Sequence, residues 1–115
     1  MDAIVSAEAL RALGTPRRQE ILRLVWTNEQ SASAICEAMP EVTFGAISQH
    51  LRVLEGAGLV HVRPQGRQRF YAAAQDAAGP LREWLEDMWG DALWKLKIEA
   101  EMEEARRGPR STRTQ

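Results

Sequence analysis

A mainly α-helical fold with one small β-hairpin, in the order α-α-α-α-β-β-α, is predicted by three features of this 115-residue chain. Apolar residues recur at helical spacing through residues 7–55, in four blocks separated by polar or proline-bearing turns. A β-branched, roughly alternating stretch follows and is broken by Pro64-Gln65-Gly66-Arg67. The helical period then resumes at Pro80 and meets no further proline up to Arg107.

The elements follow in order. Residues 7–13 (AEALRAL) form a short first helix ended by Gly14. Thr15 caps the second helix, with Pro16 at its first position, where a missing N–H does no harm. Ile21, Leu22, Leu24 and Val25 line that helix, which runs to about Trp26. Thr27 to Gln30 is a polar loop, and Ser31-Ala32 supplies a very short strand. Ser33 caps a third helix, Ala34 to Met39, stopped by Pro40. Thr43 caps a fourth, Phe44 to about Glu55, closed by Gly56-Ala57-Gly58. The hairpin strands are residues 59–63 and 68–72. Asp76 to Gly79 connects them to the last helix, about 80–107, and the tail 108–115 has no apolar residue and is expected to fray.

The length suits one domain, residues 1–107, with a core small enough that a second copy of the chain is expected to cover part of its apolar surface. Cys36 is the single cysteine and has no partner for an internal disulfide, which fits a reducing cytoplasm. The N-terminal residues lack the basic and apolar regions of a signal peptide, and no run approaches the length of a membrane span. No Ser/His/Asp, Cys/His or paired-carboxylate grouping and no glycine-rich phosphate loop is evident, so neither an enzyme nor a cofactor is expected.

Two short helices joined by a tight turn and followed by a hairpin make a winged helix-turn-helix, the architecture of many double-stranded DNA readers. In the fourth helix Ile47, Leu51 and Leu54 share the face expected to be buried. Gly45, Ser48, Gln49 and Arg52 fall on the opposite face, which is small and polar rather than rich in Glu and Lys. Gln49 can bond adenine N6 and N7 together, and Ser48 can donate or accept. Gly45 allows close approach to the duplex, and Thr43 with the N-terminal amides favours a phosphate. Arg52, a turn later, suits a phosphate better than a base. Phe44 lies beside the core face; inward packing is the expectation and a thymine methyl the alternative.

Arg63, Arg67 and Arg69 add cations to the hairpin. Residues 43–71 carry four arginines against Glu55, a net +3 within a chain of net charge −1. Residues 80–107 carry five cations and eight anions, a net −3. Positive charge is thus gathered at the reading helix and wing. On the last helix Leu81, Trp84, Leu85, Met88, Ala92 and Leu96 form a stripe that Trp89 widens. With residues 6–72 assigned to the compact core, that stripe needs another partner, and a homodimer is the simplest; a wall of a ligand pocket is the alternative.

The stretches LRALGTPRRQEIL (10–22), AISQHLRVLEGAGLV (46–60) and GRQRFY (66–71) resemble the ArsR family of small bacterial winged-helix repressors. The resemblance implies that residues 44–55 are the recognition helix and 59–72 the wing. It places the first helix, with Leu10, and the last at a dimer interface. It also implies a repressor acting as a homodimer on a palindromic operator, with autoregulation and an effector of unidentified chemistry as further expectations. Many members bind metal through closely spaced cysteines or Asp/His pairs; Cys36 stands alone and residues 80–107 hold no histidine, so the likeness is to the branch without metal sites. Two alternatives stay open at this point: a thiol- or metal-responsive sensor using Cys36, and an interaction module that has lost DNA binding.

Overall fold

A computed structural model describes residues 5–90 and 99–101 of the chain. Its helices are α1 (Ala7–Ala12), α2 (Pro16–Leu24), α3 (Ala32–Ala38), α4 (Phe44–Gly56) and α5 (Leu81–Trp89), with a 3-10 turn at Gln75–Ala78. The strands β1 (Gln30–Ser31), β2 (Val60–Gln65) and β3 (Gln68–Ala73) form an antiparallel sheet in the order β1-β3-β2. This is a winged helix-turn-helix: α3 and α4 are the helix pair, and β2–β3 is the wing.

Local chemistry sets the boundaries. The hydroxyls of Ser6, Thr15, Ser31 and Thr43 each accept a backbone N–H three residues on, capping α1 to α4. The cap of α3 is therefore Ser31 rather than Ser33, and the helix starts two residues earlier than the sequence reading placed it. Ser31 closes β1 and opens α3 at once, because its extended backbone satisfies both. The end of α4 is a Schellman motif. Gly58 has φ +76°, its N–H bonds Glu55 O at 2.9 Å, and Leu59 N–H bonds Leu54 O at 2.9 Å. Leu54 and Leu59, the apolar pair of that motif, are both buried.

The wing turn is tighter than expected. β2 continues through Pro64 and Gln65, and only Gly66 and Arg67 remain as the loop. Gly66 has φ +62° and no other wing residue has positive φ, the sign pattern of a type II′ hairpin. Pro64 is tolerated because β2 is an edge strand.

One core unites α1 to α5. Ile21, Leu22, Ile35, Met39, Ile47, Leu54, Leu59 and Leu85 are essentially inaccessible. Leu85 and Trp89, expected at a subunit interface, are turned inward instead. The Trp89 ring meets Trp26 edge to face at 5.0 Å, and Trp26 Nε1 donates to Glu86 at 2.8 Å. Residues 6–72 do not close the core alone, so one side of α5 is used to finish it. Leu81 and Met88 pack against its edge, while Trp84 and, on α1, Leu10 are about half exposed. Ala92, Leu96 and most of the expected helix beyond Gly90 lie outside the described residues.

Candidate nucleic-acid interface

The fourth helix divides by face as its periodicity dictates. Ile47, Leu51 and Leu54 are buried, and Gly45, Gln49 and Arg52 are exposed, with Ser48 half-buried beside them. A Cβ added at Gly45 would meet nothing within 4 Å, so the backbone there is open to an approaching surface. Thr43 uses its hydroxyl to accept the Ala46 N–H at 3.1 Å and so fixes the direction of the helix start. Thr43, Phe44 and Gly45 at that terminus are all exposed.

The polar residues on this face are joined to one another. The Arg52 guanidinium donates to Gln49 Oε1 at 2.7 Å and to Ser48 Oγ at 3.5 Å. Gln49 thereby has its carbonyl held from one side, and its NH2 is left to donate outward. Arg52, expected from sequence to favour a phosphate, here also orients the amide.

On the wing, strand alternation separates the three arginines. Val60, Val62, Tyr71 and Ala73 lie on the inner side that packs toward the core, and Arg69 shares the parity of Tyr71. With Ser48, Arg52, Glu55 and Tyr71 it lines a cleft of about 180 Å³ between α4 and the wing. Arg67 is exposed at the hairpin tip. Arg63 faces the other way. Its guanidinium contacts both oxygens of Glu29 at 2.9 and 2.8 Å, bonds Gln65, and lies 4.8 Å from the centre of the Phe70 ring. The bonded guanidinium lowers the Glu29 carboxyl below its ordinary range, and the carboxylate raises Arg63. The site-residue expectation therefore splits: Thr43, Gly45, Ser48, Gln49, Arg52, Arg67 and Arg69 share the region of α4 and the wing's inner face and tip, whereas Arg63 braces the wing's outer face against the loop before β1.

A second connection escaped the sequence reading. Arg18 donates through Nε to Ala12 O at 2.5 Å and through Nη2 to Arg11 O at 3.2 Å, and its Nη1 lies 3.5 Å from His50 Nδ1. It caps the end of α1 and touches α4 through His50. Burial first, then Arg18 and Arg17, hold His50 below the ordinary imidazole value. Its ring is thus a packing group whose Nδ1 faces the Arg18 donor. Only the Pro-Arg-Arg run hinted at Arg18, because an arginine that caps a neighbouring helix leaves no periodic trace.

Cys36 is half-buried on α3, and burial pushes its thiol up. A redox sensor needs the opposite shift, toward thiolate. Among the described residues no group of three or more His, Cys, Asp or Glu side chains is placed to hold a metal ion, and no helix is long and apolar enough to cross a membrane.

A family profile described as "Bacterial regulatory protein, arsR family" matches residues 15–62, from the cap of α2 into β2. The chain is 30% identical over 90 residues to the nodulation protein NolR of Rhizobium meliloti, spanning 78% of this chain and 73% of NolR. HlyU from Vibrio cholerae superposes with a TM-score of 0.65 at 28% identity, over 73% of this chain and 90% of HlyU. The homodimeric winged helix-turn-helix DNA-binding domain Mb0332 from Mycobacterium bovis gives a TM-score of 0.63 at 28% identity, over 76% of this chain and 80% of that one.

Proposed function

The chain belongs to the ArsR family of bacterial regulatory proteins and is a DNA-binding regulator of transcription rather than an enzyme; from that premise we propose that it is a repressor that binds a palindromic operator as a homodimer and regulates its own promoter. One observation carries the reading. Among the described residues the outward face of α4 leaves Gly45, Gln49 and Arg52 exposed, with Ser48 half-buried, and it stands beside a cleft bearing Arg69. A helix so presented fits the major groove, with Gln49 toward a base and Arg67 and Arg69 toward phosphates.

Dimerisation is supported by what α1 and α5 leave exposed. Leu10 and Trp84 are 53% and 51% accessible, and Leu81 and Met88 are only partly covered. Half-exposed Trp and Leu on the first and last helices suit a two-fold contact, and Mb0332 assembles as a homodimer. Ala92 and Leu96 extend the same stripe in sequence. Two copies would set their α4 helices about 34–36 Å apart, one duplex turn, which calls for an inverted repeat.

Repression follows from size: one small domain seated on a promoter acts most simply by occluding it. HlyU is named a transcriptional activator, so the direction of control needs its own readout. The test is a footprint of the purified protein on the DNA upstream of its own gene, paired with a reporter driven by that DNA. Two protected half-sites about 10–10.5 base pairs apart, and a reporter that falls when the protein is supplied, are expected. A rising reporter would overturn repression alone. A dimer that shifts no duplex at low salt would overturn the operator and its autoregulation together.

A further inference from the structure

We propose that Phe44 is a base-reading contact of α4, its ring packed on the 5-methyl group of a thymine in the major groove; this rests on the DNA-binding reading of α4 given above.

The sequence favoured inward packing for Phe44, and the structure places it outward with 67% of its surface accessible. Among the described residues only Leu10 and Trp84 are comparably large, apolar and exposed. Those two lie on α1 and α5, where a second subunit is proposed. Phe44 lies elsewhere, as the first residue of the reading helix. The helical rows put it in line with Ser48 and Arg52, on the side of α4 that faces the Arg69 cleft.

Its surroundings select the occupant. Thr43 and Gly45, on either side in the chain, are exposed, and Ser48 and Arg52 are the next residues along the row. A protein partner would seek a contiguous apolar patch with few charges at its centre, and this ring has polar and cationic neighbours instead. The major groove offers the converse: a strongly anionic surface in which the thymine methyl is the one apolar projection. The residues at the start of a recognition helix are the ones that reach base edges. Gly45 adds no side chain beside the ring, and among the described residues nothing lies within 4 Å of where its Cβ would be.

The experiment uses the intact chain. Duplexes are selected from a randomised pool, and the thymines of the best site are replaced one at a time by deoxyuridine, which removes only the methyl. The parent is expected to lose about fourfold in affinity at one thymine per half-site, the worth of one buried methyl. Phe44→Ala is expected to bind thymine and uracil duplexes alike at that position, while Phe44→Leu keeps a reduced preference. A parent indifferent to every replacement, or Phe44→Ala with the parent's full discrimination, overturns the proposal while leaving DNA binding intact. Selection that enriches no duplex overturns the DNA reading itself, and the proposal with it. Because the ring is exposed, Phe44→Ala should unfold at the parent's midpoint, so a changed preference cannot be charged to misfolding.

Discussion

Arg63 and Arg69 stand six residues apart on one hairpin and live in opposite surroundings. Arg69 lines the cleft between the wing and α4 with Ser48 and Arg52. Arg63 lies on the outer face, held by both oxygens of Glu29 and stacked over Phe70. The same split runs through α4, where Gln49 is exposed and its neighbour His50 is tucked behind against Arg18. Both elements thus carry an inner-cleft surface free to meet a duplex and an opposite surface already engaged in holding the fold. Among the described wing arginines Arg63 is tied to a carboxylate, and Arg67 and Arg69 are left to meet phosphates.

The division is sharpest between packing and reading on α4 itself. Leu54→Ala is expected to cost about 2–5 kcal/mol of stability, since Leu54 is fully buried. Denaturant unfolding measures it, and a loss well below that range would mean the helix is not anchored as described. Gln49→Ala should leave the unfolding midpoint unchanged and cost about 1–3 kcal/mol in affinity for the selected site. Equal losses in both assays for both variants would erase the distinction.

On the wing the expected effects are smaller. Arg69→Ala should weaken binding and reduce the slope of log affinity against log salt by about 1. Arg63→Ala should leave that slope unaltered. Breaking its exposed pair with Glu29 should shift stability by no more than about 1 kcal/mol. A slope that falls equally for Arg63→Ala would place both wing faces on the DNA. The smallest effect concerns pH. His50 is held below its ordinary value in the folded chain, so the unfolded chain takes up a proton first on acidification. Its contribution is fully present above about pH 6.5 and is lost as pH falls through that value toward the lowered one. The parent should therefore lose more stability than His50→Gln between neutral pH and about pH 5, by thermal unfolding; equal losses would show that His50 is not the group responsible.

Most of the fold was legible because its signals are local. Thr15-Pro16, Thr43 and Gly58 punctuate helices by their own backbone preferences, and the period of Ile47, Leu51 and Leu54 marks one buried face. Distant contacts leave no such trace. Nothing local shows that Trp26 needs Leu85 and Trp89 to close the core, so their periodicity points to a second subunit instead. The wing arginines look alike when weighed by charge alone; strand parity separates them, because Pro64 pairs with Arg69 and Arg63 with Phe70, which puts Arg63 and Arg69 on opposite faces. Glu29 is 34 residues from Arg63, and no spacing rule joins them. Phe44 lies at the margin of the buried arc, where periodicity alone does not choose between core and solvent.

Backbone amide shifts of the isotopically labelled protein, followed as the selected duplex is added, test most directly where DNA sits. Residues 43–52 and 66–71 are expected to move together, with Arg69 affected and the loop around Glu29 still. Movement concentrated at Glu29 and Arg63, with Gly45, Ser48 and Gln49 unshifted, would contradict the placement of the duplex on α4.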